Sequence, residues 1–145
     1  MEIFFTPSVI LLATIAGYIL GGIWYSPLLF FRWSLEAEGL TVETNPRRGR
    51  SYKTKVLLYT LIITGILASS LALILDIANP SSLKDALYLS LLISVGIIGA
   101  TRLMDLMHSA IGTYNSGRNQ KKFLVWSLYY IVMFAVMTIV MYYVR

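Results

Sequence analysis

Arg102, Asp105 and His108 recur at a spacing of three, so on a helix neighbouring members of the series lie on one face and can touch. At 1.5 Å of rise per residue, Arg102 and His108 are separated by roughly 9 Å along the axis. A charge near the centre of a bilayer costs about 2.5 to 3.5 kcal/mol on insertion scales. Pairing Arg102 with Asp105, and snorkelling, reduce that burden. Tyr25 and Ser26 form a second polar group inside the run GYILGGIWYSPLLFFRW. Ser26 has no His or Lys near it in sequence, so it lacks the base that activates a serine nucleophile. His108 is the only histidine and there is no cysteine. Thiolate chemistry, iron–sulfur clusters and disulfides are therefore excluded, and within one protomer so are bis-histidine haem and His-rich metal sites. No glycine-rich phosphate loop is present. The expectation is a protein that is not an enzyme, with no catalytic residue, metal or cofactor.

The elements that must position these groups follow from composition. Of 145 residues, 57% are hydrophobic and only 13% charged, with a mean hydropathy of +0.72. Soluble domains carry about a quarter charged residues, so the chain reads as a polytopic, multi-pass protein of the cell membrane. A crossing needs about 20 apolar residues. The sequence predicts an all-α, four-helix transmembrane bundle forming a single domain over 1–145, with helices near 7–38, 56–77, 83–110 and 121–144. Arg32, Arg47, Arg48, Arg50, Lys53, Lys55, Arg102, Arg118, Lys121 and Lys122 fall on one side and only Lys84 and Arg145 on the other. By the positive-inside rule both basic loops are cytoplasmic and both termini non-cytoplasmic. The same distribution accounts for the net charge of +5 without nucleic acid. The cluster Arg47, Arg48, Arg50, Lys53 and Lys55 has two readings, a topology signal or a site for anionic lipid headgroups.

In the first helix, Thr6 is placed to cap and Pro7 to occupy the first turn. Ala13, Gly17 and Gly21 share a face at spacing four, the small-residue pattern that lets backbones approach in lipid. Pro27 has no N–H for the Ile23 carbonyl, so the helix should kink or loosen near Ile23 to Ser26. In lipid that carbonyl must find another partner. Trp24 and Tyr25 lie too deep for the interfacial belt and should face the bundle. Gly39 is a natural C-terminal cap, and Ser82 with Asp85 forms a capping box for the third helix. Ser90, Ser94, Gly96, Gly99 and Ala100 predict a small, close-packing face there, with that helix central. Trp126, Tyr130, Met133, Met137 and Met141 form a packing stripe on the fourth helix.

Tyr25, Ser26, Tyr59, Thr60, Trp126, Ser127 and Tyr130 fall at depths comparable to Arg102 and Asp105. Two readings follow. One is an inward-facing polar pocket beneath Pro27, lined by Tyr25, Ser26, Arg102, Asp105 and His108. The other is an Arg/Asp pair at a helix end with ordinary tyrosine hydrogen bonds. The corresponding functions are a non-enzymatic structural or accessory subunit, in a homo-oligomer or with other membrane subunits, and a small proton-linked transporter or channel.

The order Gly21, Trp24, Tyr25, Ser26, Pro27, then apolar residues and Trp33, resembles the N-terminal signature of an uncharacterised four-helix prokaryotic membrane family, domain of unknown function 1761. The resemblance implies fold and membrane location, and no activity. Phe31 and Arg32 depart from the pattern, which would place a small residue and a lysine before Trp33.

Overall fold

A computed structural model describes residues 3–37, 39–41, 50–101, 103–105, 107 and 116–145, and among them every regular element is helical. In chain order these are α1 (Pro7–Trp24), α2 (Phe31–Ala37), α3 (Arg50–Ala78), α4 (Leu83–Ile93), which runs into a π-helical stretch Ser94–Gly99, and α5 (Ser116–Val144). Four stretches are long and apolar enough to cross a membrane: Pro7–Trp24, Thr54–Ala78, Leu83–Asp105 and Gln120–Val144. The expected first helix over 7–38 is thus two helices, because the chain leaves helical geometry entirely between Trp24 and Phe31. The second and fourth helices begin several residues earlier than expected, since polar residues at their starts extend them beyond the apolar run.

Local chemistry sets the ends. Thr6 caps α1 by accepting the Val9 N–H, with Pro7 in the first turn. Ser82 caps α4 by accepting the Asp85 N–H at 3.2 Å, while the Ser81 and Ser82 hydroxyls donate to the Asp85 carboxylate. Gly39, at φ 74°, ends α2 in a Schellman arrangement: its N–H bonds to Glu36 and that of Leu40 to Leu35. Asn79 takes the same left-handed role after α3, at φ 45°.

The hub is α5, which packs on α1, α2, α4 and the π-helical stretch, whereas α3 packs mainly on α1. This corrects the expectation that the third crossing is central. Met133, Met137 and Met141 are fully buried with Phe134 and Val125, as the stripe predicted. Two helix pairs approach closely. A Cβ built on Gly17 would collide with the Met137 methyl and lie 3.0 Å from Thr64 Cγ2, and one on Gly21 would lie 2.8 Å from the Tyr129 hydroxyl. Ala13, Gly17 and Gly21 are all buried, so this face does pack. Gly96 and Ala100 are exposed, and nothing lies within 4 Å of a Cβ on Gly96. The reason is register: the inward row of α4 is Ala86, Ser90 and Ser94, continued by half-buried Ile98. Residues two positions away from that row fall on the opposite side.

The bundle is filled unevenly. At the end holding the termini, Phe4 is fully buried, its N–H bonds to Asp76 Oδ1 at 2.9 Å, and the Arg145 guanidinium lies 4.5 Å from its ring and 3.9 Å from that of Tyr142. Towards the opposite, basic end, α3 stands away from its neighbours: of residues 54–63 only Thr60 is even half-buried. Between these ends Ser90 and Thr138 form a buried interhelical hydrogen bond. The Ser90 proton goes to the Ala86 carbonyl, so Thr138 is the donor to Ser90. Thr138→Val is expected to lower stability by about 0.6 kcal/mol and by no more than about 1.7 kcal/mol, measurable as a small drop in the detergent-denaturation midpoint.

Candidate functional site

The break between α1 and α2 is built on Ser26. Without an N–H at residue 27, the Ile23 carbonyl instead accepts both the Ser26 N–H at 3.1 Å and the Ser26 hydroxyl at 2.7 Å. The same hydroxyl accepts the Leu28 N–H at 3.3 Å, and the Ser26 carbonyl accepts from Leu29 and Phe31. Tyr25 N–H returns to Gly21 and Phe30 N–H to Trp24. Every backbone N–H from Tyr25 to Phe31 therefore has an acceptor. This is the condition under which a non-helical turn can persist where water is scarce.

Aromatic stacking closes the turn. The Trp24 ring lies 4.6 Å from Phe30 and 5.9 Å from Tyr129, and Tyr25 lies 5.4 Å from Tyr129, which in turn contacts Tyr130 at 5.3 Å. Trp24 is only 6% exposed, and its indole N–H takes no acceptor among the described residues. Both Trp24 and Tyr25 face the bundle, as expected from their depth. Sequence reasoning missed Phe30 and Tyr129; the available signal was the pairing of Tyr129 with Tyr130 in the fourth crossing. Beyond the turn, α2 follows α5, with Leu35 buried and Glu36 bridging to Lys121 at 2.6 Å. That pair is exposed on both sides, so it contributes about 0 to 1 kcal/mol.

The five residues expected to line a polar pocket fare differently. Ser26 spends its hydroxyl on the backbone, and Tyr25 is half-buried against Tyr129. Asp105 is exposed. Arg102 and His108 lie outside the described residues. Among the described residues no group of three or more His, Cys, Asp or Glu side chains is placed to hold a metal. In the basic cluster, Arg47 and Arg48 also lie outside the described residues, whereas Arg50, Lys53 and Lys55 belong to the first turns of α3, with Lys55 exposed.

Among the described residues the arrangement is thus a turn whose backbone N–H groups all have acceptors, closed by aromatic packing. No curated protein and no solved structure matches the chain. A family model described as "Protein of unknown function (DUF1761)" matches residues 8–142. That match takes in the Trp24–Tyr25–Ser26–Pro27 turn and all but the outermost residues of the four apolar helices, and the chain belongs to the DUF1761 family.

Proposed function

We propose that the chain is a non-enzymatic structural or accessory subunit of a membrane assembly, a homo-oligomer or a larger complex, in the cell membrane. The observation that carries this reading is the uneven bundle: one half is packed, whereas α3 over residues 54–63 has no described helix against most of its surface. Ser26 and Trp24, which stand in the most distinctive part of the sequence, serve a turn. Both termini lie on the non-cytoplasmic side in this reading. Exposed Arg32, Lys55, Lys121 and Lys122 support it, all at the end opposite Arg145.

Native mass spectrometry of the protein, extracted gently from its own membranes, tests the proposal. The expected result is a fixed stoichiometry greater than one, either of this chain alone or with other polypeptides. A uniform monomer would overturn it. The second reading, a small proton-linked transporter or channel, draws on the cluster of Tyr25, Tyr129 and Tyr130 beside the turn. Asp105→Asn separates the two: no specific transport phenotype is expected of the substitution, whereas a transporter using Asp105 would lose flux with assembly intact.

A further inference from the structure

The helix break leaves one acceptor behind. In an unbroken helix the Ser26 N–H would serve the Gly22 carbonyl, but here it serves Ile23, so the Gly22 carbonyl lacks its helical donor. Gly22 is exposed, and a Cβ built on it would meet nothing within 4 Å. It makes a dent in a ridge formed by exposed Ile15, Ile19 and Ile23. A carbonyl in apolar surroundings needs a donor that acyl chains do not provide.

The same chain carries an exposed donor at the same depth. Tyr59 is 62% exposed on the bare stretch of α3. Its depth is fixed by the α1–α3 crossing, where Gly17 meets Thr64. Gly22 and Tyr59 are each five residues from that crossing towards the basic end. At 1.5 Å per residue both lie about 7.5 Å beyond it. Copies related by an axis along the membrane normal keep every residue at its own depth, so a ridge and a dent at equal depth on one chain can meet between two chains.

Resting on the assembly reading above, we propose that the partner is a second copy of this chain. The Tyr59 ring of one copy seats on Gly22 of the next, and its hydroxyl donates to the Gly22 carbonyl. Because different surfaces meet, the contact is head-to-tail and closes into a ring where the rotation allows. The apolar side chains beside Tyr59, Leu58 and Ile62, cover the neighbouring ridge, and the small residue at the dent permits close approach.

The absence of cysteine gives a clean background for a test in native membranes. Tyr59→Cys and Gly22→Cys are placed on differently tagged copies, co-expressed and oxidised. The expected result is an interchain disulfide joining the two tags, with little self-coupling by either variant alone, and the same for Ile23→Cys with Leu58→Cys. Gly22→Leu is expected to abolish the oligomer while leaving the thermal stability of the protomer unchanged, since nothing among the described residues occupies that space. Tyr59→Phe is expected to weaken association about threefold, the typical worth of one interhelical hydrogen bond. An oligomer that gives no mixed disulfide and tolerates Gly22→Leu would overturn this interface and leave the assembly reading standing. A monomer in native mass spectrometry would remove both. Strong self-coupling of Tyr59→Cys alone would replace the head-to-tail contact with a two-fold one.

Discussion

Gly17→Leu is expected to be among the most damaging single substitutions in the protein, lowering stability by about 3 kcal/mol or more, at the upper end of overpacking effects. Three helices meet at this residue: α1 contributes the glycine, α5 the Met137 methyl and α3 Thr64. Met137 is a flexible side chain and can withdraw by a rotamer change, which is why Gly17→Ala should be milder. A leucine cannot be accommodated so easily, because Thr64 is buried and β-branched and Met133 stands behind. The check is the midpoint of unfolding in a detergent titration, with Gly96→Leu as the internal control. Among the described residues nothing lies within 4 Å of a Cβ on that glycine, so equal damage from the two substitutions would show that lost glycine flexibility, rather than packing, sets the effect.

Ser26→Ala is expected to lower stability by about 1 to 3 kcal/mol, twice the net worth of a single hydrogen bond. The hydroxyl both donates to Ile23 and receives the Leu28 N–H, so its removal leaves the Leu28 N–H without its acceptor and the Ile23 carbonyl with the Ser26 N–H alone. Adding Pro27→Ala to that variant should recover much of the loss, since an N–H at residue 27 can serve Ile23 in the ordinary helical way. Recovery would come with a straighter α1 and with Trp24 drawn away from Phe30, visible as a change in tryptophan fluorescence. If Ser26→Ala unfolds at the wild-type midpoint, the turn is held by the aromatic packing and not by the serine.

These two residues also mark what can and cannot be read from such a chain. Caps at Thr6, Ser82 and Gly39 were legible because each depends on groups within a few residues of one another. The Gly17 face was legible because only a small residue permits helices to touch, and size survives as a signal in lipid. Facing direction does not survive so well. Lipid tails are as apolar as leucine, so Gly96 and Ala100 on the exposed side of α4 look the same as a packing row, and nothing in the pattern singles out α5 as the hub. Pro27 announced a defect, yet its extent depended on a stack between Trp24 and Phe30 and on the contacts of Tyr129. Those are long-range facts that no local spacing encodes. Of the proposed pocket, the sequence correctly placed Tyr25 at the bundle face and had no means of foreseeing that Ser26 would be consumed by its own backbone.

The position of the hub in chain order has a consequence for biogenesis. Met137 and Tyr129, against which Gly17 and Gly21 pack, are translated more than a hundred residues after α1 begins. At about 5 to 20 residues per second, α1 therefore waits roughly 5 to 20 s for its main neighbour. Through that interval Trp24 and the small-residue face are presented to whatever holds nascent helices at the membrane, and the first three crossings cannot reach their final arrangement. A chain interrupted before α5 would lack the element on which α1, α2 and α4 pack, so a late truncation should be cleared as thoroughly as an early one.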